Sequence, residues 1–364
     1  MALSPRLLPL ATAGALTLTL AACGGDADET APAPGGDAAE GTTGADAGDA
    51  GQGDGTLTLY SGRNEELVQP VLDAFTEETG IEVEVRYGDT AAMAAQILEE
   101  GDNSPAEAFL AQDAGALGAV SREGRLTALP QETLDLVPET YRSAEGDWVG
   151  LTGRSRVLVY NQDAVSQDEL PETVQELTGP EWTGRVGIAP TNASFQSFVT
   201  ALRVLEGDEA AQTWLADLAA NDPQIRERNG MIVADVDSGA IDAGLVNHYY
   251  LYELAEEQGV APEELTAALH FFGAGDAGAL VNISGIGLVD EQPDGDAQAL
   301  VDYLLSEAGQ TYFVEETFEY PMIEGVGTPA DLPALDELET PEIDLNDLDD
   351  LQRTIEMITE AGLL

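Results

Sequence analysis

Short apolar runs and amphipathic stretches alternate through most of this chain, and that rhythm restricts the fold more than any other feature. Leu57-Thr58-Leu59-Tyr60 alternates as a strand that begins at Thr56, and Ser61-Gly62 turns the chain. Asn64 then caps a helix whose apolar face carries Leu67, Val71, Leu72 and Phe75. Glu82 to Arg86 reads as the next strand. Asp89 opens a helix through Met93 and Ile97 to Glu100, and Ala108 to Leu110 is a third short strand. Strands and helices alternating at these lengths predict a parallel α/β sheet. The rhythm resumes with strands at Val157 to Tyr160 and Val186 to Ile188. A helix opened by Asn192 or Ser194 follows, through Phe198, Leu202 and Leu205, and Asp208 to Ala220 is helical again. Ala243 to Val246 is a strand that runs straight into Asn247-His248-Tyr249-Tyr250 and a helix to Gln258. Ile283 to Val289 is apolar, and Asp296 to Leu305 and Ala308 to Thr317 are amphipathic helices. The length exceeds a usual doubly wound unit, so two α/β lobes are expected. Pro329 to Leu364 reads as an acidic tail of short helices packed on one lobe.

The residues before Thr56 have another character. Arg6 gives a positive start, Leu7 to Leu20 is apolar, and Leu20-Ala21-Ala22 runs directly into Cys23. This resembles a bacterial lipobox, in which the cysteine becomes the lipid-carrying N-terminus. An ordinary signal peptide or a membrane span is the alternative. The apolar run is short for a span, and the chain's single cysteine sits at the lipobox position. Residues 1–22 are therefore expected to be a removed signal, with Cys23 anchoring the protein to the outer face of the cytoplasmic membrane. Residues 24–55 are Gly, Ala, Asp, Glu and Thr for the most part, with no aromatic or basic side chain. Such a segment buries too little apolar surface to fold. With the lipidated cysteine it forms a disordered acidic linker over 23–55, a tether that holds a domain off the membrane.

Charge excludes several partners. The chain has 69 acidic residues against 13 basic ones, all arginine, for a formal net charge of -56. A field of that sign disfavours nucleic acid and anionic lipid. Enzyme chemistry finds no support. There are two histidines, His248 and His270, and Cys23 is committed to lipid. No serine nucleophile elbow, zinc motif, Walker loop or Rossmann fingerprint is present.

Five segments carry a family resemblance: Leu59-Tyr60-Ser61-Gly62-Arg63-Asn64-Glu65, Glu99 to Ala106, Gly153-Arg154-Ser155-Arg156-Val157, Ala189 to Phe195, and Asn247-His248-Tyr249-Tyr250. In this order, from about Thr56 to Val326, they resemble the periplasmic ferric iron-binding proteins. That resemblance implies a two-lobe, type II-like periplasmic-binding-protein fold, its ligand cleft lying between lobes joined by crossover strands. It places crossovers near Thr152 to Arg154 and Val281 to Ser284. Lobe 1 is then 56–153 plus 282–328, lobe 2 is 154–281, and 329–364 is the tail.

The resemblance also implies a role: a monomeric solute-binding lipoprotein of an ABC importer that closes around Fe3+ and delivers it to a permease and ATPase. Ferric ion is small and hard, and prefers anionic oxygen donors. A phenol, neutral in water with a pKa near 10, can give up its proton to such an ion. By itself the Tyr249-Tyr250 pair fits core aromatics equally well; the family context makes both residues metal ligands. Adjacent residues reach one cleft only if the backbone is irregular there. Where one branch of the family has a histidine and a glutamate ligand, this chain has Asn64 and Gln112, the latter beside Asp113; all three are candidates for the cleft wall. A further tyrosine of another branch falls near Ser194. Two phenolates leave coordination positions to carbonate, phosphate or citrate. Anion contacts are expected from Arg63, Arg154, Thr191, Asn192, Ala193, Ser194, Asn229 and Asn247, with Arg156 orienting its neighbours or pairing with an acid. The competing readings are a receptor for an organic anion, phosphonate, polyamine or thiamine-like solute, and a tethered sensor domain.

Overall fold

The computed structural model describes residues 53–289, 295–329 and 332–364. The signal, Cys23 and the linker up to residue 52 lie outside the described residues, and no described helix is long and apolar enough to cross a membrane.

The first strands and helices follow the alternation of the sequence. They are β1 (Thr56–Ser61), α1 (Glu65–Thr79), β2 (Glu82–Tyr87), α2 (Thr90–Glu100), β3 (Ala108–Ala111) and α3 (Ala114–Arg122). Each helix opens on a polar cap: Asn64 accepts from the Glu66 N–H at 3.2 Å, Asp89 from Ala91 at 3.0 Å, and Asp113 from Ala116 at 3.1 Å. All three caps stand at the carboxyl ends of β1, β2 and β3, the edge on which ligands collect in such sheets. A short α4 (Gln131–Leu134) leads to the long β4 (Trp148–Asn161).

The second run comprises β5 (Val186–Ile188), α5 (Ala193–Glu206), α6 (Asp208–Ala220), β6 (Gln224–Ile225), α7 (Asn229–Asp237), β7 (Ala243–Asn247), α8 (Tyr249–Gln258) and β8 (Ala267–His270). The chain returns through β9 (Val281–Leu288), α9 (Gly295–Leu304), α10 (Glu307–Glu316) and β10 (Tyr320–Pro321), and ends with α11 (Leu351–Glu360).

The strand order is β2-β1-β3-β9-β4-β7-β5-β6, with β8 and β10 also paired to β4. β1 pairs in parallel with β2 and β3, and β5 with β6 and β7. The centre departs from the all-parallel expectation, because β9 is antiparallel to β3 and β4, and β4 is antiparallel to β7. Two long connecting strands pass through the middle of the structure rather than leaving it as loops. From Trp148 to Ser155, β4 pairs with β9; from Arg156 to Tyr160 it pairs with β7. One strand thus belongs to two sheets, and the change of partner falls between Ser155 and Arg156.

Apolar burial forms two cores that cut across this division. One core gathers β1, β3, α1, α2, α9 and much of α7 and α8, and the other gathers β5, α5 and α6 around Phe198, Trp214 and Trp182. The tail touches elements of both runs. Asn346 accepts from Trp148 Nε1 at 3.0 Å beside α3, and in α11 the Thr354 hydroxyl meets that of Thr200 on α5 at 2.8 Å.

Candidate functional site

The tyrosine pair sits where a strand becomes a helix without a loop. β7 ends at Asn247, His248 already has helical φ and ψ (-58°, -41°), and α8 begins at Tyr249. The irregularity expected at Asn247–Tyr250 is confined to this strand-to-helix change, and Tyr249 and Tyr250 themselves occupy the first turn of a regular helix, about 100° apart around it. Their rings lie 4.3 Å apart, tilted by 33°. Tyr249 is 8% exposed. Burial, then the neighbouring Tyr250, raises its hydroxyl well above the usual phenol value, so without a strong Lewis acid it stays protonated.

His248 fixes the junction. Its Nδ1 accepts from the Ser155 N–H at 3.1 Å and its Nε2 lies 2.8 Å from the Phe318 carbonyl, the arrangement of a neutral ring protonated at Nε2. Burial lowers its pKa to about 4. Both nitrogens are occupied, so this histidine positions the tyrosines and is no donor to a metal. Among the described residues, no three His, Cys, Asp or Glu side chains come together to hold a metal ion. Phenol oxygens are the central donors this site offers.

Three buried arginines surround the pair, and their partners differ. The Arg63 guanidinium gives both arms to Glu319 at 2.9 Å each, a forked ion pair with both side chains about 3% exposed. β10 pairs with Thr152 and Gly153, which brings the preceding Glu319 to the strand that carries Arg154. Arg154 Nε is 3.7 Å from Glu319, and its Nη2 donates to the carbonyls of Ile283 (2.9 Å) and Gln112. Among the described residues, Arg156 has no carboxylate partner. It donates to Ser194 Oγ at 3.2 Å and to the Leu245 carbonyl at 2.9 Å, reaches Asn247 Oδ1 at 3.5 Å, and leaves Nε without a bond. Burial lowers its pKa to about 9, against an opposing pull from Tyr250 and Tyr249, and it is charged at neutral pH.

Arg156 reaches the start of α5. Asn192 caps that helix, accepting from the Ser194 N–H at 2.9 Å and from its hydroxyl at 2.6 Å. Asn229, the first residue of α7, donates to Ser194 Oγ at 2.9 Å and keeps a buried Oδ1 without a partner. Arg154, Arg156, Ala193, Ser194, Asn247, Gln112 and Asp113 line a closed hollow of about 20 Å³, roughly one water. Burial raises the Asp113 carboxyl from its ordinary value.

The larger opening is a cleft of about 600 Å³. Asn64, Leu67 and Gln112 line one side; Asn192, Arg228, Tyr249, Tyr250 and Glu253 line the other. Of the residues named from sequence, Tyr249, Tyr250, Asn64, Gln112 and Asn192 meet here, and Arg154, Ala193, Ser194, Asn247 and Asp113 meet at the adjoining hollow. Thr191 is exposed and lines neither, and both arms of Arg63 are taken by Glu319.

Sequence reasoning missed Glu319 and Glu253 and left Arg156 a supporting part. A signal for Arg156 was present: residues two apart on a strand share a face, so Arg154 and Arg156 must point the same way. Glu319 had none, being 256 positions from its partner.

A two-lobed α/β binding protein with a polar, arginine-lined cleft is the class this geometry defines. The family model for bacterial extracellular solute-binding proteins matches residues 103–349, and the chain belongs to that family. The Fe(3+)-binding periplasmic protein of Serratia marcescens is 33% identical over 323 residues, 88% of this chain and 94% of the relative. The crystal structure of iron-bound HitA from Pseudomonas aeruginosa superposes with a TM-score of 0.77 at 36% identity, covering 84% of this chain and 99% of the other. The Trichodesmium protein in complex with iron and citrate gives 0.73 at 29% identity, covering 84% and 99%.

Proposed function

We propose that this chain is the extracytoplasmic receptor of an ABC iron importer, taking up Fe3+ together with an anion or as a chelate. The observation that carries this reading is the convergence of two tyrosine hydroxyls in a cleft beside a buried arginine with no acid of its own. Ferric ion displaces the phenol protons and gains two anionic oxygens. The developing charge suits the surrounding guanidinium groups, which hold Tyr249 and Tyr250 in a positive field. Arg156 then presents Nε and Nη1, with Ser194 and the opening of α5, to a carbonate, phosphate or citrate oxygen that completes the coordination. Arg154 and Asn247 flank that anion, and Asn229, donating through Nδ2 to Ser194 Oγ at 2.9 Å, steadies the hydroxyl that faces it.

Lobe closure follows from the shared strand. With lobe 1 at 56–153 and 282–328 and lobe 2 at 154–281, the phenols and the α5 opening lie on one lobe and Asn64 and Gln112 on the other. Closure around the cleft is hinge motion. Lipidation at Cys23 would hold the receptor, a monomer, on the outer face of the membrane, where it delivers iron to a permease and its ATPase. No catalytic role is assigned.

The test is optical. The purified protein mixed with ferric citrate is expected to develop a visible phenolate-to-iron charge-transfer band. The Tyr249→Phe/Tyr250→Phe double variant is expected to lack it, and a band that survives both substitutions removes these residues as ligands.

A further inference from the structure

Two phenolates do not fill the coordination sphere of Fe3+, and most of the other donors lining the cleft (Asn64, Gln112, Asn192) are neutral amides that bind a hard trivalent ion weakly. Two carboxylates also line it, Glu253 and Glu257. Glu257 is exposed, whereas Glu253 is half-buried. Glu253 follows Tyr249 by four residues and Tyr250 by three on α8, so all three share a helix face. Side chains on a helix lean toward its N-terminus and cover the preceding turn, which here is the turn carrying the tyrosines. No arginine pairs with Glu253 among the described residues, although Glu319 lies close enough to repel it. A carboxylate drawn into the cleft on the helix face of the two phenols, with no arginine paired to it among the described residues, is a place prepared for positive charge.

We infer that Glu253 is a third protein ligand, an anionic oxygen donor that binds the metal alongside Tyr249 and Tyr250. This rests on the ferric reading above and adds to it. The site becomes two phenolates and a carboxylate from one helix face, with the exogenous anion held opposite by Arg156.

Glu253→Gln keeps the size of the side chain and removes its charge. In that variant the charge-transfer band persists, because the phenolates remain. It moves to longer wavelength, because iron that has lost an anionic donor accepts phenolate electrons more readily. Affinity measured by competition with citrate falls at least about tenfold, since altering even a group that supports a metal ligand costs about 10–100-fold. Glu263→Gln, at an exposed carboxylate beyond the end of α8 and outside the cleft lining, leaves band and affinity unchanged, and far-ultraviolet circular dichroism verifies that both variants are folded. An unaltered band position and affinity in Glu253→Gln overturns the inference and leaves the phenolate site standing. A wild-type protein with no band overturns both.

Discussion

Glu319 lies at the centre of the buried charge. It accepts both arms of Arg63 and faces Arg154. Burial alone would raise its carboxyl; Arg63 first and Arg154 after it outweigh that and hold it below the ordinary 4.5. Removing one partner of a buried pair is far more damaging than replacing the pair, because the remaining charge is stranded. Glu319→Gln is therefore expected to destabilise the apo protein by about 3–5 kcal/mol at neutral pH. The sign of its pH dependence follows from linkage. A carboxyl with a depressed folded pKa stabilises above its unfolded pKa, and that contribution is lost as pH falls through the folded value. The gap between wild type and variant should be widest at pH 6 to 8 (roughly the plateau for a carboxylate) and close below pH 4.5. Urea melts of both proteins across that range check this; a gap that widens toward acid pH contradicts it.

At the scale of elements, the contact between α3 and the tail depends on two glycines. A Cβ on Gly115 would run into the Leu348 carbonyl, and one on Gly118 would lie 2.9 Å from the Asn346 oxygen. Backbone rather than a movable side chain blocks the space at both. Gly115→Ala should cost about 1–3 kcal/mol and loosen the segment around Asn346, read as a lower denaturation midpoint and faster proteolysis there. An unchanged midpoint would mean that the tail shifts freely over α3. Much of this level was legible in sequence. Asn64, Asp89 and Asn192 announced α1, α2 and α5 because a cap is a local decision between one side chain and the next few N–H groups. The β7-to-α8 junction was legible for the same reason. The directions of β4 and β9 were not: each reads as an apolar run whether its neighbour is parallel or antiparallel, and the choice is made by partners distant in the chain, as where Thr152 meets Ser284 and Arg156 meets Asn247. α7 escaped because it is only nine residues long and its apolar residues, Met231, Ile232, Val233, Ala234 and Val236, form no clear one-sided stripe. Within the site, residue types alone left the tyrosines as ordinary aromatics and the family resemblance singled them out, while the division of labour among the arginines depends on Glu319 and is tertiary.

For the whole molecule, a net charge of -56 on 364 residues means that folding brings like charges together. Most of the acids are on the surface, where ions screen them: the Debye length falls from about 10 Å at 0.1 M salt to about 3 Å at 1 M. Thermal stability is expected to rise steadily over that interval in sodium chloride, and calorimetric melting temperatures measure it. A midpoint that falls with salt would mean that the surface ion pairs, such as Arg353 with Glu356 and Asp208, outweigh the repulsion.

β4 gives this architecture a mechanical property. The strand changes sheets between Ser155 and Arg156, and Arg154 and Arg156 stand on either side of that point. The cations of the binding pocket are thus mounted on the axle about which the halves would turn. On the proposed function, a cargo anion gripped by Arg156 would load the pivot directly, and rotation of the pivot would re-aim the grip, so that capture and bending would be two readings of one backbone coordinate.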